Sequence, residues 1–448
     1  MQNKDHQRTT YHYQPPAYWM NDPNGLVQWK GNYHLFYQHN PDSPLHGNMH
    51  WGHAMSSDLI HWTDLPIALA PTRGGPDEEG CWSGCFVDNQ GTPTLIYSGN
   101  AHGRQLPCIA TSSDDDLRTW QKYAGNPVIA GWPPDLDIVE YRDHCVWREG
   151  DQWYQLIGSG IQGVGGTALL YRSPDLINWE YLHPLCIGNK DETGTMWECP
   201  DFFPLGDKHV LTISSIPHGL VYYFIGSYQN FTFTAEQQGV LDASMHFYAP
   251  QSFRDEQGRR ILFGWLREGR DDAALQAAGW AGVMSLPRIL SLRDGALSME
   301  PAAELTSLRH RHHQIAPQLI ECQQLISEQF SSNALEILLE IEYSGHCEVR
   351  IEDKSYPDER LQINLQETGV SIEQTAGNHQ STEQCALEPG RHTLHIFIDG
   401  SVLEIFIDNR QCITERFYHS APQQLGMSIF SNEGTTRLHG LDVWELRA

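Results

Sequence analysis

A short motif returns four times along the first two-thirds of the chain, and its spacing limits the fold more than any other feature. Ser57-Asp58-Leu59-Ile60-His61-Trp62 is followed by Asp116-Leu117-Arg118-Thr119-Trp120 and by Ser173-Pro174-Asp175-Leu176-Ile177-Asn178-Trp179. A degraded copy stands at Asn230-Phe231-Thr232-Phe233. The aromatic positions 62, 120, 179 and 233 are 58, 59 and 54 residues apart. Between the copies lie short aromatic and aliphatic runs at 32–38, 94–98 and 152–157, punctuated by Gly, Asp and Asn, as strands are. A repeat of roughly 50 residues built from short strands marks the blades of a propeller. About 290 residues at about 57 per unit make five of them. The spacing therefore predicts an all-β fold that opens with a five-bladed β-propeller over residues 1–300.

Composition shifts near residue 300. Arg309-His310-Arg311-His312-His313 reads as a solvated linker, placed at 301–316, rather than as a metal site. Beyond it, runs at 335–343, 345–352, 361–366 and 369–374 have the length and spacing of sandwich strands. A hairpin is expected over 391–409, turning at Asp399-Gly400-Ser401. The region 317–448 is therefore expected to be a β-sandwich domain. Helices are few, the best candidate being a short connector at 301–305.

Several partners are excluded by composition. A net charge of −27 would repel nucleic acid and anionic membranes alike. No stretch approaches the roughly 18 apolar residues of a membrane span. Met1 to Arg8 lack the apolar core of a secretion signal, so a cytoplasmic protein is expected. The ten cysteines, Cys81, Cys85, Cys108, Cys145, Cys199 and Cys322 among them, are scattered and read as reduced, buried thiols. Cys81-x3-Cys85 has no second pair, so no zinc site is expected.

Three carboxylates stand in unusual settings. Asp22 lies in Trp19-Met20-Asn21-Asp22-Pro23-Asn24-Gly25, Asp143 in Tyr141-Arg142-Asp143-His144, and Glu198 in Trp197-Glu198-Cys199-Pro200-Asp201. Taken alone, each has an ordinary reading: Asp22 as the cap of an Asn24-Gly25 turn, Asp143 in a surface pair with Arg142, Glu198 as a buried structural acid. Together they suggest a site assembled from separate strands, and a carboxylate pair is the minimal kit for glycoside hydrolysis. Arg142 and Asp143 are adjacent, so both reach one ligand only at a strand end or a bulge. Trp197, Met196 and Cys199 offer Glu198 the apolar setting that, with a second carboxylate nearby, keeps an acid protonated. Tyr18 and Trp19 can exclude water and pack on a sugar.

These motifs, with 32–62, Trp82-Ser83-Gly84, Phe-Tyr-Ala-Pro-Gln-Ser-Phe at 247–253, Gly-Trp-Ala-Gly-Val-Met-Ser-Leu-Pro-Arg at 279–288 and the 399–406 hairpin, resemble glycoside hydrolase family 32. That is the family of invertases, levanases and inulinases, and the resemblance covers nearly the whole chain. It implies a five-bladed propeller followed by a β-sandwich. It implies Asp22 as nucleophile, Glu198 as acid/base, and Asp143 as the acid that binds fructosyl hydroxyls. Asn21, Gln38, Ser83, Arg142 and Cys199 fall at positions lining the fructose site, with Trp82 and Trp265 at its aromatic wall. The implied mechanism is double displacement with retention, with the Asp22 and Glu198 carboxyl groups roughly 5–5.5 Å apart and no metal or organic cofactor. Three positions depart from the family: His144 replaces the usual proline, His46 stands where many members have tryptophan, and His246 stands in place of an aspartate. His46 and His144 are therefore candidate substrate contacts. The expectation is a β-fructofuranosidase acting on sucrose or short β-fructosides, as a monomer or homodimer. A fructosyltransferase and a non-catalytic β-fructoside-binding protein are the alternatives.

Overall fold

The computed structural model describes residues 5–321, 325–353, 356, 358–375, 382–420 and 424–448. Met1 to Lys4 and Cys322 lie outside the described residues. The chain is all-β. Two-residue turns set much of the pairing. Lys30-Gly31 and Gln90-Gly91 both have positive φ at both positions, the geometry that matches the twist of a tight hairpin. Among the described residues the strands sort into seven antiparallel sheets, joined only locally by parallel pairing, as where Trp280–Ala281 lies along Tyr18–Trp29.

Five sheets follow one another along the chain. Tyr18–Trp29, Asn32–Asn40, His50–Ser56 and Trp62–Leu69 form the first, and Gly80–Asn89, Thr92–Ala101, Arg104–Thr111 and Gln121–Lys122 the second. Ile138–Glu149, Gln152–Ile161, Gly165–Ser173 and Glu180–Ile187 form the third. Met196–Leu205, Lys208–Ile216, Val221–Gln229 and Thr232–Val240 form the fourth. The fifth pairs Phe247–Arg254, Arg260–Leu266 and Arg288–Arg293 in that order. Each first strand contacts the first strand of the next sheet, and the first strand of the fifth contacts that of the first.

The repeated motif is the link between third and fourth strands. In each full copy the Leu is buried and left-handed, with φ of 68° at Leu59, 56° at Leu117 and 67° at Leu176. The following Trp ring folds back so that its Nε1 donates to that Leu carbonyl, at 3.0, 2.8 and 2.8 Å. Asp58 and Asp175 cap the loop by accepting backbone N–H groups from the two following turn residues. In the second copy the capping acid is Asp114, not Asp116, because that loop is longer: Asp114 accepts from Arg118 and Thr119. The degraded copy has contracted to a two-residue turn at Asn230-Phe231, both left-handed. Burial works against Asp58, yet the His61 and Ile60 amides, the His61 ring and Ser56 hold it down to about 2. Its stabilisation is therefore present above the usual 3.8 and lost as pH falls toward 2. Asp58→Ala should cost about 1 kcal/mol at pH 7, read from urea midpoints, and much less near pH 2.

The described residues of Met1–Tyr13, Asp242–His246 and Arg293–Ala448 form one compact unit, and those of Gln14–Leu241 and Phe247–Leu292 the other. The ends of the chain thus share a unit, which begins again at Arg293 and also takes in Asp242–His246. Asp399 is the reason at the N-terminus: its carboxylate accepts the Thr10, Tyr11 and His12 amides. The His12 ring then bridges Asp399 and Glu404, at 3.0 Å each. This unit holds two antiparallel sheets that share one apolar core, including Ile337, Leu339, Val349, Ile363, Ile396, Ile405 and Ile429. The expected hairpin is there, with Gly390–Asp399 paired to Val402–Ile407.

The segment expected to be a linker differs. Ala303–Leu308 is a 3-10 helix, and Arg309–Ile315 is a strand paired with Thr436–Leu446. Its cations and imidazoles face acids: Arg309 grips Glu336 through two 2.7 Å bonds, and His312 Nε2 lies 2.7 Å from Asp442.

Candidate active site

Every first strand of the five sheets has a register shift, and the three acids with Asn21, Trp82, Ser83, Arg142 and Cys199 sit at those shifts. They fall at Met20/Pro23, Trp82/Gly84, His144/Arg142, Glu198/Asp201 and Tyr248/Gln251. A bulge inserts an extra residue, bends the strand and re-aims a side chain. Asp143 and Cys199 pay for this with left-handed φ of 62° and 45°. So Asp22, expected beside a tight turn, lies instead inside one long strand whose bulge turns it. Gly25 (φ 55°) lies in a second shift of the same strand, between Asn24 and Val27, and a Cβ there would meet Phe36, Trp51 and Leu95 at 3.1–3.2 Å. The bulge at Asp143 is what lets Arg142 and Asp143 face one site.

The shifts gather the three acids. Asp22 Oδ1 accepts from Asn21 Nδ2 at 3.0 Å, and its Oδ2 from Ser83 Oγ at 2.6 Å. The Cys199 thiol lies 3.5 Å from Asp22 Oδ2 and 3.4 Å from Asp143 Oδ2, bridging the two. Asp143 Oδ2 also accepts the Cys199 amide at 2.9 Å. Arg142 donates to Glu198 Oε1 from Nε and Nη2, at 3.1 and 2.9 Å, and to Glu140 from Nη1. The Tyr248 hydroxyl meets Glu198 Oε2 at 2.7 Å. That contact serves either protonation state, since a phenol oxygen accepts from a protonated carboxyl as well as donating to an ionised one.

The setting of Glu198 is thus polar rather than apolar. Burial raises Asp22 against the Ser83 bond, with the Glu198 charge adding to the rise. Burial pushes Asp143 up to about 7 against the pull of Arg142, with the charges of Glu198 and Asp22 adding to the push. Asp22 and Asp143, each within reach of another carboxylate, do not titrate independently. Glu198 is the more open acid: its side chain is 20% exposed, whereas Asp143 as a residue is 4% exposed.

The walls are aromatic. Trp19 packs edge-on to Trp265 at 5.8 Å and to the exposed His46 at 5.7 Å, and its Nε1 donates to Asn21. The Arg142 guanidinium lies 5.9 Å from the Trp82 ring centre. Gln38 is buried and donates to the Cys81 carbonyl. His144 is not a wall residue. It is buried, and its Nε2 lies 3.1 Å from Ser98 Oγ. His246 belongs to the other unit, where its Nε2 is 3.0 Å from Glu415.

Two participants were not singled out from sequence. Tyr248 sits in the 247–253 run, whose aromatic-proline pattern was the available signal. Arg267, whose guanidinium stacks 3.5 Å over the Tyr248 ring, has no local signature. The far halves of the same first strands line a separate cavity of about 650 Å³, walled by Trp29, Asp88, Glu149, Phe203 and Arg254 among others, which includes none of the three acids.

Comparison with known proteins gives the family. The family model "Glycosyl hydrolases family 32 N-terminal domain" matches residues 12–301, and "Glycosyl hydrolases family 32 C terminal" matches residues 304–445. Sucrose-6-phosphate hydrolase of Escherichia coli is 35% identical, over 97% of this chain and 94% of its own. Raffinose invertase of Escherichia coli is 33% identical, over 97% and 94%. The crystal structure of fructan 1-exohydrolase IIa from Cichorium intybus superposes with a TM-score of 0.88 at 25% identity, over 100% of this chain and 98% of that one. Matched by the family models along almost its whole length, this chain is a member of glycoside hydrolase family 32.

Proposed function

We propose that the chain is a retaining β-fructofuranosidase that releases fructose from sucrose or short β-fructosides by double displacement. The observation that carries this is the convergence of Asp22, Asp143 and Glu198 at three separate bulges, each acid held by its own donors. Asn21 and Ser83 hold Asp22 still, as a nucleophile aimed at an anomeric carbon must be. Glu198 gives its proton to the leaving oxygen as the Asp22 carboxylate attacks, and the glycosidic bond breaks. Glu198, now a carboxylate, takes a proton from water. The water oxygen displaces Asp22 and restores it. Asp143 accepts hydrogen bonds from the fructosyl hydroxyls. Trp82 and Trp265 form the wall on which the ring packs.

In this reading the five successive sheets are the blades of a propeller, supported by the contact of the fifth first strand with the first. The two C-terminal sheets are a sandwich. The relatives named for sucrose 6-phosphate and raffinose favour small substrates over polymers, consistent with a cytoplasmic enzyme fed by imported sugars.

Product analysis on sucrose, sucrose 6-phosphate, 1-kestose, inulin and levan tests the reading. Free fructose should appear in step with the loss of substrate, faster from the short sugars than from the polymers. Oligosaccharides longer than the substrate as main products would make the chain a fructosyltransferase. Binding of fructose with no cleavage of any of the five would make it a binding protein.

A further inference from the structure

The bulges that aim Ser83 and Asp143 share one hydroxyl. Ser83 is the residue skipped in the pairing of Gly80–Asn89 with Thr92–Ala101, and Asp143 the residue skipped in the pairing of Ile138–Glu149 with Gln152–Ile161. Each skip leaves backbone polar groups outside the ladder, in a buried place where they must be satisfied. Ser98 does both jobs. Its Oγ accepts the Asp143 amide at 2.9 Å and donates to the Ser83 carbonyl at 3.1 Å.

A serine hydroxyl has a single proton and two acceptor lone pairs. If that proton is committed to Ser83, the third contact, to His144 Nε2 at 3.1 Å, has to be a bond that His144 donates. If Ser98 turned its proton to His144 instead, the buried Ser83 carbonyl would lose its partner, at the cost of an unsatisfied acceptor. The Nε2–H tautomer leaves Nδ1 as a bare acceptor, and Nδ1 is buried with no protein partner among the described residues. The ring stays neutral at any working pH, since burial lowers it to about 3.

We infer that His144 is a positioning residue: as the neutral Nε2–H tautomer it locks the Ser98 hydroxyl, and through Ser98 sets the backbone that presents Asp143 and Ser83. Ser83 in turn holds Asp22 Oδ2, so one imidazole steadies two of the three acids from behind. The residue that departs from the family's usual proline thus supplies a donor that proline lacks. The inference rests on the roles given above to Asp22 and Asp143.

The test combines variants with spectroscopy of the full chain. His144→Leu, similar in bulk but without a donor, should lower kcat/KM on sucrose by about 10- to 100-fold, the scale of a small misplacement of reacting groups. His144→Gln, whose amide nitrogen can replace Nε2–H, should recover most of the loss. Ser98→Ala should fall like His144→Leu, and the double variant no further than the lower single one, because both break one linkage. In the wild type, nitrogen-15 shifts should show His144 protonated at Nε2 alone, a readout that needs no variant to fold. His144→Leu within twofold of wild type, Gln no better than Leu, or a proton on Nδ1 would each overturn the inference. A wild type that cleaves no β-fructoside would instead overturn the functional reading and leave the tautomer result standing.

Discussion

Asp22→Ala is expected to lower kcat on sucrose by about 10⁴- to 10⁶-fold, the scale seen when a covalent nucleophile is removed while the rest of a site survives. No neighbour can substitute. Asn21, Ser83 and Cys199 all point donors at the Asp22 carboxylate, Asp143 is already committed to the Cys199 amide, and Glu198 to Arg142 and Tyr248. Asp22→Asn should be as inactive, yet no less stable. Burial raises the Asp22 pKa in the folded state, so the fold binds that proton more tightly than the unfolded chain does. The sign follows: native stability falls as pH rises from the ordinary 3.8 through the folded value, and the penalty is in place above it. A neutral amide removes the penalty. Calorimetry at neutral pH should therefore give Asp22→Asn a Tm at or above that of wild type. A marked loss of Tm would mean the carboxylate has a structural task.

Glu198→Gln should lower kcat on sucrose by about 10²- to 10⁴-fold, the usual worth of proton transfer by a placed side chain. The amide keeps the size of the carboxyl and can still bond Tyr248, but it has no proton to give and cannot accept one from water. The loss should depend on the leaving group. Sucrose needs a proton on its departing oxygen; an aryl β-fructofuranoside with an acidic phenol does not. The first step should therefore be slowed far less for the aryl substrate, measured as the burst of phenol. Equal losses on both would place the proton donor elsewhere, and Tyr248, 2.7 Å from Glu198, would be the next residue to examine.

Much of this arrangement was legible in the sequence because it repeats. The Leu-x-x-Trp spacing is a physical module, a left-handed buried Leu whose carbonyl is capped by a Trp ring, so its recurrence located the sheets. The module also shows where a pattern misleads. Asp116 fits the motif, but Asp114 is the capping acid, since a longer loop moves the cap without moving the Trp. Asn24-Gly25 reads as a turn because turns and bulges both use positive φ, and sequence does not separate them. Residues 309–315 read as linker because their side chains are polar as far as Gln314. They pair as a strand because acids on the neighbouring strands, Glu336, Asp442 and Glu445, receive them.

The site was legible only as far as local motifs reach. Asp22, Asp143 and Glu198 each carry a signature in adjacent residues. The groups that set their chemistry do not. Arg142 reaches Glu198 across 56 positions, Tyr248 across 50, and Ser98 meets Asp143 across 45. Such pairings follow from the ring of first strands, and nothing within a short window encodes them. The apolar residues beside Glu198 suggested an apolar setting, but adjacent strand residues face opposite ways, so Trp197 is buried while Glu198 meets Arg142 and Tyr248.

In the proposed mechanism Asp22 carries the fructosyl group between the two displacements. The Glu198→Gln variant offers the direct measurement, because an aryl fructoside can load the enzyme while the missing base stalls water in the second step. Mass spectrometry of the quenched, digested protein should find one fructosyl unit on the peptide containing Asp22, and the adduct should disappear when Asp22 is also replaced. An adduct on any other residue, or none despite a full burst of phenol, would contradict the account.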